Sequence, residues 1–239
     1  MLDDHLRKEP ALEKAENRPG TAQEPAPITI GILALQGSFH LHLRSLQRLG
    51  VAGRLVRKLG DLQGLSGLIV PGGESTVMSL LLNKYKLFEP LREMGHRGFP
   101  MFGTCAGAIL LGHGEGLPGR LEIAPVKLVR NAYGTQIYSF TAPLELSPFK
   151  EPFHGVFIRA PKILPLDKAR KPKSSGSRQS PPVEVLGWHG DLPVLVQCGS
   201  LLLATFHPEL TDDLRLHEYF LEHCVGTSQP KPQAVCTVP

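Results

Sequence analysis

Residues Ile28–Leu35 read ITIGILAL, an unbroken apolar run rich in β-branched side chains, with Gln36 and Gly37 directly after it. A strand with one wetted face alternates apolar and polar residues, so a run without polar interruption reads as a strand covered on both faces. Phe39, Leu43, Leu46 and Leu49 then recur at helical spacing. The alternation continues outward: GRLVRK and LSGLIV read as strands, PGGEST as a turn, TVMSLLLNKYKLFEPLREMG as one or two helices, FPMF as a short strand, and a new helix starts at Ala106. Strands alternating with helices predict a mostly parallel central sheet flanked by helices, a three-layer α/β fold. After Gly112 the chain becomes β-rich through LEIAPVKLV, TQIYSFTAPLEL, GVFIRA, VEVLGWH, LPVLVQC and LLLATF, and a last amphipathic helix is expected from about Asp212 to His223.

The 239 residues, 41% of them hydrophobic, suffice for one globular domain, placed at residues 28–225. Residues 1–27 hold Glu, Lys, Pro and Ala with almost no large apolar side chain and are expected to form a disordered extension. The same is expected of residues 226–239. Within KILPLDKARKPKSSGSRQSPP the later half, about 166–182, is basic and Ser/Pro-rich and reads as a solvated inserted loop. The formal charge of +4 is scattered rather than interleaved with aromatics on one face, which argues against nucleic acid as partner. The N-terminus lacks a signal-peptide apolar run, and no stretch reaches membrane-spanning length. Four cysteines, Cys105, Cys198, Cys224 and Cys236, form no C-x-x-C pair, which argues against zinc and against a disulfide framework. A soluble, cytoplasmic protein without membrane, metal or cofactor is the expectation.

Three short stretches carry chemistry. In FGTCAGAIL, Cys105 lies between small residues where a strand turns sharply into a helix. That geometry suits a nucleophile held in a strained, exposed position, and a small buried core cysteine fits the same letters. In FHPEL, His207 and Glu209 follow the strand LLLATF. A thiol needs a base that takes its proton, and the base needs an acceptor on its far nitrogen; an ordinary strand-exit turn would look alike. In LIVPGGEST, two glycines after a buried strand let backbone N–H groups approach an oxyanion, as would a plain glycine turn. The turns after Val70, Phe102 and Phe206 are expected to open at one carboxyl edge of the sheet, where ligands bind in open α/β folds.

Taken with RNAYGTQIYSF and FIRAP, the segments GILALQG, PGGEST, MFGTCAG and FHPEL resemble the glutaminase subunits of pyridoxal 5'-phosphate synthases, a branch of the class I (triad) glutamine amidotransferases with a flavodoxin-like fold. The likeness spans about Ile28 to Val225. It implies hydrolysis of L-glutamine to glutamate and ammonia, with ammonia passed to a PdxS/SNZ-type synthase subunit in a large hetero-oligomer. By position, Cys105 resembles the nucleophile, His207 the general base and acid, and Glu209 the residue orienting it. Gly73, Glu74, Ser75, Arg130, Ile158 and Arg159 match glutamine contacts, and the amides near Gly73 and Ala106 the oxyanion hole. Alternatives left open are a catalytically silent regulatory subunit and a glutaminase serving another acceptor, as in imidazole glycerol phosphate synthase. The chain departs from the pattern at Leu41, where Glu usually precedes the histidine, and at Thr135, where Arg is frequent. The Gly112–Arg120 connection is short, and the basic loop is inserted. His40 and His42, two apart on a helix, are expected to face solvent or a partner rather than share a metal.

Overall fold

The computed structural model describes residues 27–130, 139–165 and 182–226. The expected N-terminal extension, basic insert, C-terminal tail and Thr135 lie almost wholly outside these residues. Eleven described strands occur: β1 (Thr29–Leu33), β2 (Ala52–Val56), β3 (Gly67–Val70), β4 (Met101–Thr104), β5 (Val126–Val129), β6 (Ser139–Leu144), β7 (Phe153–Ile158), β8 (Lys162–Pro165), β9 (Val183–His189), β10 (Leu192–Cys198) and β11 (Leu201–Ala204). The helices are α1 (Phe39–Arg48), α2 (Ser75–Lys84), α3 (Phe88–His96), α4 (Ala106–Leu111) and α5 (Arg215–Tyr219). The central sheet runs β2-β1-β3-β4-β11-β10-β9. Its first five strands are mutually parallel, and β10 and β9 extend it antiparallel. Two hairpin-like pairs, β5 with β8 and β6 with β7, stand apart from it.

The uninterrupted apolar strands bury both faces, as their composition requires. Leu68 and Val70 of β3, Met101 of β4 and Leu201 and Leu203 of β11 join one core with α2, α3, α4 and the β5–β8 pair. Their neighbours Ile69, Phe102, Leu202 and Ala204 point the other way, into a second core with α1, α5 and the β6–β7 pair. Period-two side-chain alternation thus serves two layers from one ladder.

Two expectations needed correction, and one strand was missed. The strands FPMF and LLLATF end at Thr104 and Ala204 rather than at Phe102 and Phe206, because Gly103 and Thr104 pair with Leu203 and Ala204. KILP, to which no element was assigned, forms β8 against β5, its strand signal being short and merged with the basic run. The last helix begins at Arg215, whose amide is held by the Asp213 carboxylate at 3.1 Å, and passes into a π-helical turn over Phe220–Val225.

Glycine matters most where β4 meets α4. A Cβ on Gly107 would overlap the carbonyl oxygen of Val70, and one on Gly103 would lie 2.8 Å from the Ala108 amide nitrogen. The helix therefore seats directly on the ends of β3 and β4. Gly107→Ala should destabilise the fold by about 2 kcal/mol or more through backbone displacement, whereas Gly60→Ala, with open space around the added methyl, should be near neutral. Urea melts of the two variants check this; equal stability would mean that α4 does not seat as described.

Candidate active site

Because β1, β3, β4 and β11 are parallel neighbours, their carboxyl ends meet at one edge. The segment after β1 supplies Gln36 and Ser38, that after β3 supplies Gly72, Gly73 and Glu74, the end of β4 supplies Cys105, and the end of β11 supplies His207 and Glu209. Of these, Gln36, Gly73, Glu74, Cys105 and His207 border a cleft of about 670 Å³. Every site residue expected from the sequence lines it except Glu209, which stands behind His207; Gln36, Ile109 and Ser139 complete the wall.

Cys105 has φ 46° and ψ −105°, a conformation that side chains rarely adopt. It is held there by its amide on the Ala204 carbonyl at 2.9 Å and by its own carbonyl, which accepts from Ile109 at 3.2 Å. The thiol lies 3.6 Å from the Ile158 carbonyl oxygen. The Ala106 amide, at the first position of α4, has no intrahelical acceptor and borders the cleft.

His207 leaves β11 with its amide on the Val156 carbonyl at 2.8 Å. Its Nδ1 lies 2.7 Å from Glu209 Oε1, and the ring interacts with the Cys105 side chain as well. Burial lowers the His207 pKa, but Cys105 and Glu209 more than compensate and carry it up to about 10. Burial alone would raise Glu209; His42, His207 and the Ser38 hydroxyl, which donates to Oε1 at 2.6 Å, bring it down to about 2. His42 is itself held below its ordinary value by burial, so we assign the positive charge opposite Glu209 to His207. An ionised carboxylate, an imidazole that readily carries a proton and a thiol therefore stand in series.

The PGGEST turn is shaped by contact. A Cβ on Gly72 would strike the His207 ring, and one on Gly73 would strike the Gln36 amide oxygen. That oxygen accepts the Glu74 amide at 2.8 Å. The Glu74 carboxylate caps α2 through the amides of Thr76 and Val77 at 3.1 and 2.8 Å, and these bring its pKa down against the upward pull of burial. Arg130 approaches Glu74 at 3.4 Å and donates to the Gly116 carbonyl at 2.8 Å. Arg159 has φ 46° at the cleft wall.

One expectation fails outright. His40 is exposed, but His42 is fully buried. It lies three residues after Phe39 and four before Leu46, on the inward face of α1, and the helical spacing carried that signal. Gln36, Ser38 and His217 were not expected at the site; the first two follow the end of β1 on the functional edge.

A Cys–His–Glu series stands at the carboxyl edge of a mostly parallel sheet, and a solved glutamine amidotransferase structure is 44% identical, with TM-score 0.72, covering 83% of this chain and 99% of its own. Residues 32–226 match the SNO glutamine amidotransferase family, and the chain belongs to that family. Pyridoxal 5'-phosphate synthase subunit PdxT of Moorella thermoacetica is 45% identical over 197 residues, covering 81% of this chain and 97% of that protein. The PdxT subunit of Thermus thermophilus is 47% identical over 199 residues, covering 81% and 96%.

The raised His207 pKa has a testable sign. Protonation is favoured in the folded state, so its stabilisation is fully present below pH about 6.5 and is lost as pH rises toward about 10. The stability gap between the wild type and His207→Gln, from denaturant melts, should narrow across that interval. A gap that is constant from pH 6.5 to 10 would contradict the charged imidazolium.

Proposed function

We propose that this chain is the glutaminase subunit of a pyridoxal 5'-phosphate synthase, hydrolysing L-glutamine to glutamate and ammonia and passing ammonia to the synthase subunit. The observation that carries the chemistry is His207 set between Cys105 and Glu209 in a cleft lined by the other expected residues. Cys105, having given its proton to His207, attacks the side-chain amide carbon of glutamine. The developing oxyanion is met by backbone amides at Ala106 and Gly73. His207 then protonates the leaving nitrogen, ammonia departs, and a glutamyl thioester remains on Cys105. Water, deprotonated by His207, releases glutamate. Glu209 holds the imidazole tautomer and balances its charge without itself taking the proton.

Recognition follows from charge. Arg130 and Arg159 suit the α-carboxylate, Glu74 suits the ammonium, and Ser75 and the Ile158 backbone suit the remaining polar groups. We assign the catalytic unit to residues 28–225, with the insert at about 166–182 and both terminal segments outside the chemistry. Among the described residues no helix is long and apolar enough to cross a membrane; a cytoplasmic location in a large hetero-oligomer with the synthase completes the reading.

Ammonia release should be weak from the isolated subunit and rise when purified synthase subunit is added. Cys105→Ala should abolish it with the fold intact, and substantial residual turnover would overturn the assignment of the nucleophile. A glutamine-like diazo-ketone should label Cys105 selectively, because burial pushes the Cys198 and Cys224 thiols up to about 12. Mass spectrometry of the labelled peptides reads this, and equal labelling of these three cysteines would contradict a special thiol.

Docking is proposed to act through the PGGEST turn, where glycine allows a peptide to reorient at little steric cost. Gly73→Val would push against Gln36, whose amide oxygen holds the Glu74 amide. The synthase-stimulated rate should fall far more than glutamine affinity; an unchanged stimulated rate would exclude this turn as the control point.

A further inference from the structure

Behind the carboxylate of Glu209 lies a fully buried pair of histidines. His42 Nε2 stands 3.4 Å from Glu209 Oε2 and 3.2 Å from the Thr104 hydroxyl, while His42 Nδ1 stands 2.9 Å from His217 Nε2. Both rings are 0% exposed. The titratable groups facing His42 are Glu209 and His207 from the turn after β11 and His217 from α5; Thr104 and Phe102 of β4 complete its surroundings.

Hydrogen-bond arithmetic selects one tautomer. Glu209 Oε1 already accepts from Ser38 and His207, whereas Oε2 is buried without a hydrogen-bond partner and faces His42 Nε2 at 3.4 Å. Were His42 protonated on Nδ1, its Nε2 lone pair would face that carboxylate oxygen. His217 would then accept on Nε2 and carry its own proton on Nδ1, a buried N–H without a partner. Buried N–H groups are rarely left unpaired, and lone pairs more often are. With the protons on Nε2 of both rings, His217 donates to His42, His42 donates to Thr104 with the same N–H facing Glu209 Oε2 at 3.4 Å, and the His217 Nδ1 lone pair is left over. Burial lowers both histidines, His217 to about 3, so each carries a single ring proton near neutral pH.

We propose that His42, with its tautomer fixed by His217, is a positioning residue for glutamine hydrolysis: its Nε2–H, anchored on Thr104, presents partial positive charge to the second oxygen of Glu209 at 3.4 Å and so sets how that carboxylate meets His207. The proposal rests on the reading of Glu209 as the residue that orients His207. It assigns the two histidines a role that neither the thiol nor the imidazole of His207 requires them to touch substrate to fulfil.

The test uses glutaminase kinetics with the synthase subunit present. His42→Leu should lower kcat by about tenfold or more, comparable to the roughly ten- to a hundredfold lost when an outer partner of a metal-ligating histidine is removed. KM for glutamine should stay within about twofold, because the lost interaction acts on the chemical step. The acid limb of the pH profile should move upward, since Glu209 loses the polar N–H that faces its second oxygen. His42→Gln places an amide nitrogen near the Nε2 position and should recover much of the rate. In a Glu209→Gln background, His42→Leu should cost little more, because the two act as one unit. If Glu209→Gln alone leaves the rate unchanged, the reading of Glu209 fails; if it lowers the rate and His42→Leu does not, only the role of His42 fails. A loss in His42→Leu that persists in the Glu209→Gln background, with the pH profile unmoved and no recovery by Gln, would leave His42 as packing alone. Nitrogen NMR of the wild-type side chains tests the tautomers without any variant: both rings should carry the proton on Nε2, and protonation of His42 on Nδ1 overturns the proposal.

Discussion

The positive φ of Cys105 is the constraint around which the functional edge is arranged. A non-glycine residue leaves this region unless its neighbours prevent it, at a cost on the order of 1–3 kcal/mol. Here β11 holds the cysteine amide, α4 holds its carbonyl, and α4 can do so only because Gly107 lets it sit on the end of β3. The strain is therefore spread over three neighbouring strands and a helix. Releasing any one of them would let the thiol turn away from His207.

Electrostatics follow from the same placement. The site holds an ionised carboxylate in an almost dry setting, tolerable because Ser38, His42 and His207 surround it, Ser38 and His207 hydrogen-bonded to Oε1 and His42 facing Oε2 at 3.4 Å. Each comes from a different element: Ser38 ahead of α1, His42 within it, and His207 after β11. Phe102 lies edge-on to both buried histidines. The apolar core on this face of the sheet thus ends in a polar cluster directly beneath the nucleophile, and packing of Phe102 against Phe220 ties that cluster to the C-terminal turn.

The parts of this arrangement that are local in the chain could be read from it. Strand followed by turn followed by small residues located Cys105, and a two-residue interval joined His207 to Glu209 because an imidazole and a carboxylate that close meet within one turn. The line of strands was legible because doubly buried strands need continuous apolar runs. His42 was misjudged because its type suggested water while its position on α1 pointed inward, and position prevailed. Its partner His217 is 175 residues away, a pairing that no local pattern encodes. The β8 strand escaped for another reason: four residues next to a polar run carry too little periodicity to stand out.

The pairing of β4 with β11 joins Met101 to Leu201 in the middle of the sheet, one hundred residues apart along the chain. Contacts of such separation form late, since a large loop must close before they contribute. A nascent or partly folded molecule can assemble β1 to β4 and still lack the Ala204 carbonyl that fixes the Cys105 amide, as well as His207, Glu209 and His217. Its thiol is then an ordinary one on a loose turn. The geometry that poises the Cys105 thiol is thus complete only when β11 stands beside β4.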